Sequence, residues 1–179
     1  MSRLKQGDQA PNITLMDTKD ELFKLDTYRG KRVLVSFYRF ATCPFCNLRI
    51  HAIVKNYNKY REHFEVIAIF KSKPSTLKKA MKKYDAPFHI MSDNMGIYYR
   101  AYELEKSVLG VIKGMMFRMP SLIKSMIMGN LPINVDSPMT RMPADFLIDE
   151  NGIIEIAYYG DDEGDHLDIN TLISSQVVK

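Results

Sequence analysis

Hydrophobic and polar positions divide the chain into short runs with two different periods. Ile13 and Leu15 alternate with polar neighbours, residues 17–20 form a polar turn, and Leu22, Phe23 and Leu25 resume the pattern. Such alternation predicts an extended lead-in of half-buried strands. After a second turn at Arg29-Gly30-Lys31, residues 33–38 are nearly all apolar and rich in β-formers. That predicts a central strand buried on both faces. From 44 to 60 the period changes: Leu48, Ile50, Ile53, Val54 and Tyr57 recur at helical spacing, with Pro44 suited to the first helical position. Residues 65–70 predict a second buried strand, 75–84 a basic helix, 88–91 a short strand and 94–103 a short helix. Residues 145–159 predict a hairpin about Asn151-Gly152, and 167–175 a last helix with Asp165 as its N-cap.

The order is β lead-in, β, α, β, α, β, α, a helical insertion over 104–140, β-hairpin, α. Alternating β and α units closed by an antiparallel hairpin predict an α/β fold with a mixed central sheet flanked by helices. That is the thioredoxin architecture with extra N-terminal strands and an insertion, and 179 residues suit a single domain over 1–179.

Composition changes this picture little. Hydrophobic residues are 46% and charged residues 26%, as in an ordinary water-soluble protein. The start of the chain has no apolar h-region and no run approaches a membrane span, so a cytoplasmic protein is expected. A net charge of +4 is too mild to suggest nucleic acid. The excess has a place, however. Lys106, Lys113, Arg118 and Lys124 lie between 106 and 135 with no acid among them.

Candidate chemistry is concentrated in Thr42-Cys43-Pro44-Phe45-Cys46, which follows a buried strand and opens a helix. These are the only two cysteines, too few for a secreted disulfide scaffold. Unpaired N–H groups at a helix N-terminus favour a thiolate at Cys43, and Cys46 one turn on is placed to resolve a mixed disulfide. Cys43 is therefore expected to be the more exposed and more acidic thiol. Arg39, in the strand-to-helix loop, brings positive charge. A zinc site needs four ligands and this pair supplies two. His51, His63, His89 and His166 show no ligand spacing to one another, so no metal or cofactor is expected.

These segments resemble the AhpC/TSA branch of the thioredoxin superfamily, specifically its peroxiredoxin-like proteins that carry C-x-x-C. Residues 7–13 (GDQAPNI) resemble the opening G-x-x-A-P-x-F. Residues 29–38 resemble R-G-K-x-V-L-V-x-F-Y, and 39–46 the continuation R-x-x-x-C-P-x-C. The resemblance implies that Met142-Pro143 stands where thioredoxins place a cis-proline beside the dithiol, so a cis bond is expected there. Aligned with typical peroxiredoxins, Arg39 takes the place of the motif proline, Cys43 of the threonine and Cys46 of the peroxidatic cysteine. Pro143 falls where the peroxiredoxin arginine belongs, with Arg141 two residues away. Ser36 replaces thioredoxin's buried acid.

The primary reading is a thiol–disulfide oxidoreductase acting through a mixed disulfide, with a disulfide-bearing protein or small molecule as substrate and a thiol reductant system as partner. A peroxidase acting on hydroperoxides or endoperoxides is the alternative, and a redox-inert interaction module the third. The insertion carries a stripe of Val108, Ile112, Met115, Met119, Leu122 and Met126, and seven of the twelve methionines lie between 115 and 142. An amphipathic helical pair packing that stripe on the sheet, as a cap near the dithiol, is the first expectation. A partner, a second subunit or an anionic membrane surface are alternatives, membrane contact being the less expected. The lysines of 78–83 read as a solvated face, His51 as a surface or structural residue, and His166 as solvated.

Overall fold

The computed structural model describes residues 3–104, 106–132, 135–136 and 138–174. The lead-in forms an antiparallel hairpin of β1 (Thr14–Met16) and β2 (Leu22–Lys24). Its turn is held by the Asp17 carboxylate, which accepts from the backbone of Lys19 and Glu21 at 2.7 and 2.9 Å.

The main sheet has five strands in the order β5-β4-β3-β6-β7. These are β3 (Val33–Tyr38), β4 (Glu65–Phe70), β5 (His89–Ser92), β6 (Ala144–Ile148) and β7 (Ile154–Tyr159). β3, β4 and β5 run parallel, while β6 pairs antiparallel with both β3 and β7. The central strand is buried at all six positions, and the pleat sends its side chains alternately to two cores. Leu34 and Tyr38 join Ala68, Phe70 and Leu147 against α1 (Pro44–Tyr60) and α6 (Ile169–Ser174). Val33, Val35 and Phe37 join Phe146, Tyr99 and Tyr102 on the opposite face, where α3 (Ile97–Ala101) packs. This is the thioredoxin architecture expected from the element order.

The elements over 33–38, 44–60 and 65–70 fall where the pattern places them. The basic helix divides into α2 (Pro74–Met81) and a 3-10 turn, which Asp85 ends in a left-handed conformation at φ 42°. The 94–103 helix is shorter than expected because the Asp93 carboxylate accepts from the N–H groups of Ile97, Tyr98 and Tyr99 and sets its start. Asp165 does not cap the last helix. Its carboxylate accepts from the Tyr158 hydroxyl and the Asp161 N–H, while Asp168 stands directly before the helix and accepts from the Asn170 N–H. The expected last position, 175, lies outside the described residues.

The insertion forms α4 (Val108–Phe117) and α5 (Met119–Ile127), but with its sides reversed from expectation. Gly110, Gly114, Ser125 and Asn130 are buried, whereas Val108, Ile112, Met119 and Met126 are exposed. The Met115 side chain lies outside what is described. The reversal has a local cause. Gly110 and Gly114, one turn apart, give α4 a bare strip on which its backbone can approach Met142, Asp161 and Glu163. On α5, the Ser125 hydroxyl donates to the Pro44 carbonyl at 2.7 Å, fastening that helix to the start of α1. Among the described side chains of the stripe, only Leu122 packs partly against the core. The insertion's ends meet, with Lys106 bridging Arg141 and the Ser107 N–H donating to the Thr140 carbonyl at 2.7 Å.

Candidate functional site: a buried dithiol

The loop from β3 to α1 is a tight turn closed by the Cys43 N–H donating to the Phe40 carbonyl at 3.0 Å. Asn47 fastens it, its amide donating to the carbonyls of Ala41 and Cys43 at 2.8 and 2.9 Å. Cys43 is the N-cap of α1 and Pro44 occupies the first turn, where no N–H is needed. Both cysteines are free thiols. The Arg39 backbone N–H reaches Cys46 Sγ at 3.5 Å, and its guanidinium Nη1 reaches Cys43 Sγ at 3.6 Å.

The expected exposure of Cys43 is corrected: both thiols are fully buried, packed in one core cluster with Tyr38, Phe40, Ala41 and Phe45. The expected order of acidity stands. Burial pushes the Cys43 thiol up, but the hydrogen bond from Cys46, the Arg39 charge and the Cys46 backbone together outweigh it and lower Cys43 to about 7. Burial and the neighbouring Cys43 push Cys46 well up. Cys43 is thus the more acidic thiol of the pair and Cys46 the less acidic one.

Arg39 does not act alone. Its Nη1 also lies 2.9 Å from Glu163 Oε2, both side chains being almost wholly buried, and its Nη2 donates to the Met139 carbonyl. Burial raises the Glu163 carboxyl above its usual range despite Arg39. The charge on Glu163 in turn works against the Cys43 thiolate. Arg141 stacks on the Tyr99 ring at 4.8 Å, so the guanidinium at the sulfurs comes from Arg39. Thr42 contributes a buried Oγ1 with no hydrogen-bond partner among the described residues.

A buried acid does stand on the face that Ser36 left without one, but on the next strand. Asp145 pairs with Ser36 across the sheet and is fully buried. Its carboxylate lies 3.0 Å from His166 Nδ1 and accepts from the Leu167 N–H at 2.7 Å. His166 is therefore buried rather than solvated, with its ring 4.8 Å from that of Tyr38. Burial opposes ionisation of Asp145, yet His166 and Arg49 hold its pKa below the ordinary value. An aspartate inside the otherwise apolar run 144–148 was the available signal, since a buried carboxylate demands a partner.

The expected cis bond at Met142–Pro143 is corrected: no cis peptide occurs among the described residues. Trans is the default for X-Pro by about 0.5–1 kcal/mol. Here the Pro143 carbonyl is engaged by the Gly160 N–H at 2.9 Å. Met142 underlies the cap instead. A Cβ on Gly110 would fall 2.6 Å from Met142 Sδ and 2.7 Å from the Asp161 carbonyl, and one on Gly114 would fall 2.5 Å from Glu163 Cγ. Gly110→Ala is accordingly expected to cost about 1–3 kcal/mol through overpacking. It should also loosen α4, so that Cys43 alkylates several-fold faster. Thermal melting and alkylation rates measure both, and an unchanged rate would show that α4 does not shield the sulfur.

Beside the loop lies a cavity of about 350 Å3 lined in part by Ala41, Thr42, Asn47, Lys79 and Lys83. Elsewhere, Asp17, Glu21 and His89 bring potential ligand atoms within 4.8 Å of one another. Asp17 already holds the β1–β2 turn and faces His89 at 2.7 Å.

The family model for the AhpC/TSA family matches residues 6–157. The chain belongs to the AhpC/TSA family. Among its curated relatives, chloroplastic peroxiredoxin Q of Populus jackii is 28% identical over 114 residues, covering 63% of this chain and 54% of that one. Peroxiredoxin Bcp of Escherichia coli is 33% identical over 94 residues, covering 52% of this chain and 60% of that one. The chain spans about half the length of the first of these AhpC/TSA relatives. Among solved structures, a thiol peroxidase from Chromobacterium violaceum superimposes with a TM-score of 0.66 at 14% identity, over 98% of this chain and 88% of that one. That match shows the thioredoxin-like fold of the AhpC/TSA family.

Proposed function

We propose that this chain is a thiol-dependent oxidoreductase that exchanges disulfides through Cys43 and Cys46. The single observation carrying this reading is the opposite perturbation of the two thiols, with Arg39 Nη1 3.6 Å from the acidic one. In the exchange, the Cys43 thiolate attacks one sulfur of a substrate disulfide and expels the other as a thiolate. Cys46 then loses its proton and attacks Cys43, forming the Cys43–Cys46 disulfide and releasing the second substrate thiol. A thiol reductant system restores the dithiol with two electrons and two protons, and the reducing cytoplasm suits that cycle. Arg39 and the α1 N-terminus stabilise the thiolate, while Thr42, Pro44, Met142 and Pro143 hold the loop and its cover in place.

The second reading, reduction of hydroperoxides, is favoured by the names of the relatives. There, a thiolate attacks the terminal peroxide oxygen, an alcohol leaves, and the second thiol displaces water from the resulting sulfenic acid. Both routes end in the same disulfide. Trapping separates the orders of attack. Cys46→Ser is expected to accumulate a mixed disulfide with an added disulfide substrate, and Cys43→Ser none. Adducts confined to Cys43→Ser would transfer the attack to Cys46. Turnover of hydroperoxides well above that of disulfides would favour the second reading.

A further inference from the structure

We propose that the outer face of α4 and α5 docks on the surface of an anionic lipid bilayer. The two helices turn Gly110, Gly114 and Ser125 inward and large apolar side chains outward. Leu109 is 79% exposed, Phe117 75% and Ile127 81%, with Met116 and Ile123 also exposed. Folded monomers rarely present a contiguous apolar face of this kind to water without a use for it. Bulky aliphatic, aromatic and adaptable methionine side chains suit the boundary between headgroups and acyl chains. No helix among the described residues is long and apolar enough to cross a membrane, so the mode is adsorption.

Charge selects the occupant. Lys106, Lys113, Arg118 and Lys124 are the only charged residues between 106 and 135. Lys113 and Arg118 are drawn to the acids of the 160–166 loop: Lys113 lies 3.7 Å from Asp161, and Arg118 2.7 Å from Asp162 and 3.6 Å from Asp165. Lys106 and Lys124 are exposed and have no ion-pair partner among the described residues. Lys79 and Lys83 of the neighbouring basic helix line one cavity with Gly129 and Leu131, just past the end of α5. An apolar face bordered by unopposed lysines matches an anionic interface, where hydrophobic insertion and attraction to headgroups act together. A second copy of the chain matches it poorly. A second copy would bring the same lysines to the contact, with no acid between 106 and 135 to answer them.

The test is sedimentation of the full chain with vesicles of phosphatidylcholine alone and of phosphatidylcholine with phosphatidylglycerol. Binding to the anionic vesicles is expected to be about tenfold tighter or more, and to weaken with salt. The variant Leu109→Glu/Phe117→Glu/Ile127→Glu should lose it, with an unchanged circular dichroism spectrum and Cys43 alkylation rate. Lys106→Glu/Lys124→Glu, which leaves the apolar residues in place, should lose the preference for anionic lipid. Absence of binding to the anionic vesicles would overturn the proposal. So would equal binding to both vesicle types, or a concentration-dependent dimer abolished by the triple variant.

Discussion

Replacing Arg39 with glutamine is expected to slow alkylation of Cys43 at pH 7 by about tenfold to fiftyfold. With its pKa lowered to about 7, Cys43 is about half thiolate at that pH. Without the guanidinium, burial acts against the anion with only the Cys46 hydrogen bond and backbone opposing it, and the titration moves toward the ordinary value of 9.0. Glu163→Gln is expected to act with the opposite sign. It removes the negative charge that opposes the thiolate and frees the guanidinium for the sulfur, so the alkylation midpoint should move below that of the parent. The double variant separates charge from packing. It removes both halves of a buried ion pair and should recover stability that Arg39→Gln loses, without recovering the acidic thiol. Alkylation rates against pH measure the series. An unmoved midpoint in Arg39→Gln would assign the low pKa to the helix terminus and Cys46 alone.

Asp145→Ala is expected to destabilise the chain by about 3–5 kcal/mol, because it leaves buried His166 and the Leu167 N–H without their acceptor. Asp145→Asn keeps one acceptor oxygen and should cost less, about 1–3 kcal/mol. The pH dependence has a definite sign. The Asp145 pKa is below 3.8 in the folded chain, so its stabilising contribution is fully present above 3.8 and is lost as pH falls through the lower folded value. Urea unfolding of parent and Asp145→Ala should therefore converge as the pH is lowered through that range. Curves that stay parallel would mean that the carboxylate is not charged in the fold.

Most of the framework was legible from local pattern. The continuous apolar run of β3 and the period of α1, opened by Pro44, determine their own ends because the decisive contacts are within the segment. The dithiol was legible for the same reason. What depended on pairing between distant segments was not. Ser36 marked the absence of an acid at its own position, but the register that brings Asp145 opposite it is a property of the sheet. Arg39 was visible as a cation, whereas Glu163 arrives from the loop after β7. The insertion shows the limit most clearly. Periodicity reports that apolar residues share a side of a helix, not which way that side faces. Gly110 and Gly114 decided the matter by permitting a close approach that the methionines could not make.

The meeting of the insertion's two ends carries a consequence for the history of such a chain. Lys106 and Arg141 are bridged and Ser107 is bonded to Thr140, so the polypeptide leaves the scaffold and rejoins it at nearly the same point. A segment anchored in this way is a graft on a closed stem. It can be lengthened, traded or lost with little change in chain-closure entropy and without altering the strand order beneath. Selection can then revise α4 and α5 while the sheet that positions the two sulfurs stays as it is.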